Sequence, residues 1–200
     1  MKLKLSIFCI IVLTSFSLHA NDASLWLKNE IDNILSAYEN NDISKENRFL
    51  LIEKTINDNF AGAGIGKFVV GKAWDNASKD TKKNYIKNFK RHLALNIASM
   101  MQGYTNQRYE LTQSKLDKKN NLSLIDMEIY SDTGSVVVTW RVKEAKEKYY
   151  IIDLLVADIS LVVTKRSEFN SMLKNVDYNL SDFNQILYDQ NEESYYKLIN

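Results

Sequence analysis

The 200-residue chain has no proline, six glycines, one cysteine and two histidines. Each scarcity closes off a class of protein. Without proline, and with glycine this sparse, neither a collagen-like repeat nor a proline-rich linker architecture can be built. One cysteine cannot form an internal disulfide, and two histidines cannot make a histidine-rich metal site. An excess of either charge is missing too. Lys and Arg number 26 against 25 Asp and Glu, so no strong net field draws the chain to nucleic acid. What remains is 45% hydrophobic and 26% charged, the proportions of a globular chain.

The first twenty residues read as a targeting segment. Lys2 and Lys4 precede an apolar run, Leu5 to Leu18 (LSIFCIIVLTSFSL), and His19-Ala20 closes it with a small residue. That order of charge, apolar core and small residue describes a secretory signal peptide, with cleavage expected after Ala20. The run is short for a membrane span of roughly 20 residues. Cys9 lies too early, behind the bulky Phe8, to serve as a lipoprotein acceptor. The expected organisation is therefore a signal peptide over 1–20 and a single domain over 21–200. Loss of Lys2, Lys4, Cys9 and His19 leaves no thiol, one histidine (His92) and 24 basic against 25 acidic residues. The greasiest later stretch, Tyr149 to Val163, is interrupted by Asp153 and Asp158 and cannot span a membrane. The product is expected in the periplasm, depending for stability on a hydrophobic core, with roughly 70% of its unfolded surface buried.

Periodicity gives helices, then strands, then helices. From Ser24 to about Asn40, Leu27, Ile31, Ile34, Leu35 and Tyr38 repeat at helical spacing. Ser44 caps a second helix with Phe49, Ile52, Ile56 and Phe60 on one face. Gly62, Gly64 and Gly66 interrupt the pattern, and a short helical piece from Lys67 to Trp74 follows. The longest helix starts at the Ser78 cap and runs to about Gly103, with a stripe of Tyr85, Phe89, Leu93, Ile97, Met100, Met101 and Tyr104. Its other side carries Lys79, Lys82, Lys83, Lys87, Lys90 and Arg91. Past Asn106 the period approaches two. Strands are expected at Tyr109–Thr112, Leu122–Tyr130 and Val136–Val142, with one or two more over Tyr149–Leu161. In the third, Val136, Val138, Trp140 and Val142 share a face. Helices resume at Thr164–Asn175 and Leu180–Gln190. Short turns between neighbouring strands imply an antiparallel sheet, so the class is α+β: one twisted sheet of about four strands packed against several helices.

No constellation of catalytic residues emerges. The cluster Gly62-Ala63-Gly64-Ile65-Gly66-Lys67-Phe68 has Ala61 where a Walker A loop needs glycine, and Phe68 where it needs Ser or Thr. It reads as a flexible joint between helices. No Gly-x-Ser-x-Gly elbow occurs, and metal ligands lack a usual spacing. His92 borders an apolar stripe and reads as structural. Asp153, a carboxylate among Ile151, Ile152, Leu154 and Leu155, offers a general base in a pocket or a cap on a turn. The basic helix face suits an acidic partner or anionic headgroups as well as plain solvation. Met100, Met101, Tyr104, Trp140, Tyr149 and Tyr150 are flexible or amphipathic side chains that suit either a cavity for varied apolar ligands or an ordinary core.

Two stretches carry a resemblance. Val70-Gly71-Lys72-Ala73-Trp74-Asp75-Asn76-Ala77-Ser78, followed by Tyr85, Phe89 and Leu93, is similar to the Leu-Gly-x-x-Trp-Arg-x-Ala-Ser segment of the MlaC-type periplasmic phospholipid carriers, also called the toluene-tolerance family. Asp153 through Phe169 (DLLVADISLVVTKRSEF) resembles the same family's strand-to-helix run ending in Thr-x-Arg-x-Glu-Phe. This chain departs from the family in having Ala157-Asp158 in place of Glu-Gly, and Asp75 in place of Arg.

The resemblance implies a non-enzymatic carrier with no cofactor and no metal. Such a carrier shuttles phospholipid between an outer-membrane lipoprotein–porin complex and the substrate-binding ring of an inner-membrane ABC transporter, in the pathway that maintains outer-membrane lipid asymmetry. Acyl chains would lie in an apolar pocket between sheet and helices. From the stripes and the resemblance together, the expected lining is Phe68, Val69, Phe89, Leu93, Ile97, Met101, Val138, Trp140, Ile152, Leu154 and Leu161. Lys83, Lys87, Lys90 and Arg91 are the expected docking residues, on a monomer that binds no nucleic acid. Two alternatives stay open: a small-pocket α+β enzyme using Asp153, and a non-lipid interaction subunit of the envelope.

Overall fold

The computed structural model describes residues 18–104 and 107–200. The expected signal peptide falls almost entirely outside them. Among the described residues the order is α1 (Leu18–Glu39), α2 (Lys45–Asn59), α3 (Gly62–Val70), α4 (Lys72–Asp75), α5 (Lys79–Met101), β1 (Tyr109–Asp117), β2 (Leu122–Ser131), β3 (Gly134–Ala145), β4 (Lys148–Val156), β5 (Ile159–Ser160), α6 (Leu161–Lys174) and α7 (Leu180–Ile199). The sheet is a five-stranded antiparallel meander in the order β1-β2-β3-β4-β5. The fold is α+β, with one strand more than the four expected. The addition is the two-residue β5, which folds back on the end of β4 through Ala157 and Asp158, both left-handed (φ 47° and 63°).

Local chemistry sets the helix starts. The Ser44 hydroxyl accepts from the Asn47 amide and Ser78 from Thr81, each satisfying an orphan N–H of a first turn. Ser160 does the same for α6 through Val163, so this helix starts at Leu161, ahead of the expected Thr164. The carboxamide of Asn179 caps α7, which runs past Gln190 to Ile199.

The glycine cluster is not a joint. Gly62 to Val70 is helical, and Gly62 and Gly66 lie one turn apart where α3 meets α5. A Cβ on Gly66 would stand 2.7 Å from Ile86 Cδ1 and 3.0 Å from Phe89 Cδ1, and one on Gly62 would stand 2.7 Å from Lys90 Cε. Close helix–helix approach is the reason for glycine there, despite its low helix propensity. The chain breaks at Gly71 instead, where φ is 51°. Arg166 Nη1 closes that end of α3 by donating to the Phe68 carbonyl (2.9 Å).

Register fixes the two sheet faces. Ser123, Ile125, Met127 and Ile129 stand opposite Val142, Trp140, Val138 and Val136, and these share the inner face with Leu111, Ile151 and Leu154. The outer face is mostly polar, although Leu124, Val137 and Leu155 also lie on it. Thr139 donates to Asp126 (2.6 Å) and Ser135 to Glu128 (2.6 Å). The alternation suits a sheet covered on one side only. α1 crosses the inner face from β4, where Trp26 meets Tyr149 (5.6 Å between rings), to β1, where the Tyr109 hydroxyl donates to Asp32. Phe60 adds a parallel bridge to Ile151 at the β4 edge. α5 packs mainly on α7, α2 and α3, and α6 on β4 and α3.

Candidate functional site

Three apolar stripes line the space between sheet and helices, and each opens from one end to the other. On α5, Tyr85 and Phe89 are fully buried, whereas Leu93, Ile97 and Met101 keep exposed surface although they pack on the core. On α1, Ala23 and Leu27 are buried, while Ile31, Ile34, Leu35 and Tyr38 are half-buried. On the inner face of β3, Val142 is 0% exposed and Val138 7%, with Trp140 partly exposed between them, and Val136 near the start of the strand is 40% exposed. The wall of a cavity open at one end would grade in this way, and so would a core whose elements run out to the surface.

The closed end is an aromatic cluster. Phe169 meets Phe183 at 4.9 Å and Phe89 at 6.1 Å, both edge-on, and Tyr85 lies 5.8 Å from Phe89 and 6.2 Å from Phe183. Such pairs add about 0.5–1.5 kcal/mol each beyond area burial. The Tyr85 hydroxyl, pushed up by burial, donates to the Gly66 carbonyl (3.1 Å). His92 borders the cluster, 5.6 Å from Phe169, with Nδ1 against Asn191 Oδ1 (3.2 Å) and Nε2 against Lys165 Nζ (3.4 Å). Burial first, and then the nearby Lys165 charge, lowers its pKa to about 4. It stays neutral at pH 7 and interlocks α5, α6 and α7.

The open end holds two clefts that share Tyr104. One, of ≈ 290 Å³, is lined by Tyr38, Lys45, Arg48, Met101, Gln102, Tyr104 and Leu198. The other, of ≈ 500 Å³, is lined by Asp32, Leu35, Ser36, Glu39, Tyr104, Gln107, Arg108 and Tyr109. Tyrosines form the rim, each with an apolar ring and a polar tip. Tyr104 donates to Glu39 (3.0 Å), Tyr109 donates to Asp32, and Arg48 lies over the Tyr38 ring (5.3 Å). Burial first, then the accepting carboxylate, raises the pKa of both Tyr104 and Tyr109, so both are neutral donors. An amphipathic rim around an apolar interior suits a ligand with a polar head and apolar tails.

The residues expected from sequence to line a pocket fall in different settings. Leu93, Ile97 and Met101 lie on the half-open α5 stripe, and Met101 also lines a cleft. Val138, Trp140 and Leu154 lie on the inner sheet face. Phe89 is part of the aromatic cluster, and Val69 is buried on α3. Ile152 is the bulged residue opposite Arg141 and Val142. Phe68 is 45% exposed under the Arg166 guanidinium (4.4 Å), and Leu161 is an exposed first residue of α6. Of the basic residues, Lys83 and Lys87 are exposed and have no ion pair among the described residues. Lys90 donates to the Asn57 carbonyl (3.3 Å). Arg91 pairs with Glu53 (3.0 Å) and stacks on Tyr195 (4.8 Å), tying α5 to α2 and α7. Arg48, Tyr109 and Leu198 of the cleft rims carry no signal in the sequence pattern. Tyr38 and Tyr104 do, as aromatic ends of amphipathic stripes.

Asp153 is a structural cap. Its Oδ1 accepts the amides of Leu154 (2.9 Å) and Val162 (3.1 Å), and its Oδ2 accepts from Ser160 Oγ (2.6 Å) and Arg141 Nη1 (3.4 Å). It lies on the outer face beside Arg141, holding β3, β4 and the start of α6 together, with both oxygens engaged. Among the described residues no cluster of three or more His, Cys, Asp or Glu is placed to hold a metal, and no helix is long and apolar enough to cross a membrane.

A family model described as MlaC protein matches residues 28–187. Among solved structures, the chain is similar to a phospholipid-binding protein from Ralstonia solanacearum, determined in complex with a phospholipid. The TM-score is 0.75 at 15% identity, over 86% of this chain and 98% of that one. No curated protein matches the sequence. At that identity the structural likeness carries the fold.

Proposed function

The chain belongs to the MlaC family, and on that premise we propose that it is a phospholipid carrier. Acyl chains lie along the half-open stripes of α1, α5 and the inner sheet face, and the headgroup stays at the tyrosine rim. The observation that carries the reading is the shared gradient of exposure along those stripes. The phospholipid bound by the Ralstonia protein, which has the same fold, supports it.

Energetics explain how such a carrier loads and unloads. Withdrawing two chains of about 15 methylenes each from water is worth roughly 0.8 kcal/mol per CH₂, about 24 kcal/mol gross. A bilayer already supplies nearly all of it. The interior therefore has only to match a bilayer, and the direction of transfer comes from the partners. Those partners are the outer-membrane lipoprotein–porin complex and the inner-membrane ABC transporter ring. Lys83 and Lys87, which of the four expected docking residues are the two outside any ion pair or hydrogen bond among the described residues, are the docking positions, and the carrier works as a monomer in the periplasm after losing residues 1–20. It performs no catalysis, consistent with the capping role of Asp153 and the interlocked His92.

The test is Leu93→Asp and Ile97→Asp. Each is expected to leave a folded protein that has lost its co-purifying phospholipid, read as extracted lipid phosphorus per chain. Unfolding of both variants, with no selective loss of lipid, would overturn the assignment of these residues to the pocket.

A further inference from the structure

Trp140 carries a buried hydrogen-bond donor that nothing among the described residues satisfies. It occupies the middle of the inner face on the central strand β3, between Ile125 on β2 and Leu154 on β4. Its ring packs on the core yet keeps some exposed surface, while Nε1 is buried and has no partner. Two arginines also hold an unpartnered buried Nε, but each satisfies other donors of its fork. Arg48 bonds the Asn40 carbonyl (2.9 Å) and Arg141 bonds Asp153 (3.4 Å). An indole has one donor and no second chance. The side chains flanking Trp140 on the inner face, Ile125, Val138, Val142 and Leu154, contain no acceptor at all. Orphaned buried N–H groups are rare in folded proteins, because each costs a desolvation penalty that its partner normally repays.

A ligand in the apolar interior can supply that partner, as can an ordered water. Resting on the lipid-carrier reading, we propose that Trp140 Nε1 donates a hydrogen bond to a fatty-ester carbonyl of the bound lipid, so that the site selects ester-linked over ether-linked chains. In a diacyl lipid the ester carbonyls are the acceptors attached directly to the tails. A dialkyl ether lipid of the same length and headgroup offers the same apolar surface with only weakly accepting ether oxygens. Trp140 is thereby a specificity-determining residue, distinct from the side chains that merely supply apolar area.

The experiment is a competition with the mature chain. Vesicles contain equal amounts of diacyl and dialkyl phosphatidylcholine of matched chain length, and bound lipid is extracted and weighed by mass spectrometry. The expected diester preference is about two- to tenfold, the worth of one net hydrogen bond, and Trp140→Phe brings the ratio to about one. A wild-type ratio of one, or a preference that survives Trp140→Phe, overturns the proposal while leaving the carrier reading intact. Uptake of neither lipid by the wild type overturns both. A second measurement does not require the variant to fold. The Trp140 indole N–H resonance should move downfield with the diacyl lipid and not with the dialkyl lipid, and equal shifts with both count against the hydrogen bond.

Discussion

The two ends of the interior are built from similar residues and behave oppositely. At the closed end, Tyr85, Phe89, Phe169 and Phe183 leave no exposed surface. At the open end, Tyr38, Met101, Tyr104 and Tyr109 are as bulky, yet all keep contact with solvent and surround the clefts. Composition does not separate them. The closed end is where three helices, α5, α6 and α7, meet one another and α3 slides in on its glycines. The open end is where α1 meets β1 and the end of α5, joined by hydroxyl–carboxylate hydrogen bonds and not by packed rings. Stability is thus concentrated at one end, leaving the other free to accept a ligand.

Truncation breaks this contrast most sharply. Phe89→Ala is expected to cost about 3–5 kcal/mol in urea unfolding, because the filled cluster cannot collapse around the cavity. Met101→Ala at the open end should cost less than about 1.5 kcal/mol, since that side chain is only partly buried. Equal costs at the two positions would remove the distinction between the ends.

Acid tests the closed end separately. The folded pKa of His92, about 4, lies below its usual value near 6.5. The neutral ring is what the fold accommodates, so its contribution is intact above pH 6.5 and is lost as pH falls through about 4. The loss approaches about 3 kcal/mol. Burial sets that shift first and the Lys165 charge adds to it, while Asn191 and Glu168, which also face the ring, oppose it. His92→Gln should flatten the unfolding free energy between pH 7 and 4, and an unchanged pH slope would place the acid sensitivity elsewhere.

A smaller effect separates the two kinds of glycine in α3. Gly66→Ala pushes a methyl against Ile86 and Phe89 and should cost about 1–3 kcal/mol. Gly64→Ala meets nothing within 4 Å and should gain about 0.5–1 kcal/mol through helix propensity. Thermal midpoints of the pair read the difference directly, and two shifts of the same sign would argue against a tight α3–α5 seam.

Much of this fold was legible because its signals are local. The Ser44 and Ser78 caps, the α5 stripe and the face shared by Val138, Trp140 and Val142 all follow from spacing and side-chain chemistry. What was not legible is tertiary. The glycines over 62–66 read as a joint because propensity says so, and only the approach of Ile86 and Phe89 explains a helix there. β5 lies inside the Tyr149–Leu161 stretch read as one or two strands, but two residues have no period of their own, and its turn depends on left-handed Ala157 and Asp158. For the site, the stripes named Leu93, Ile97, Met101 and Trp140, but a stripe does not reveal where burial ends. Exposure of Val136 against burial of Val142 is a property of what packs above the sheet. Arg48 and Leu198 reach the rim from sequence positions far apart, and no pattern links them.

The most direct test of an interior open at one end and filled by lipid is native mass spectrometry of the chain purified from cells without detergent. The account predicts the mass of the processed chain plus about one phospholipid, released on organic extraction. A bare chain that also takes up no lipid from phospholipid vesicles would contradict it.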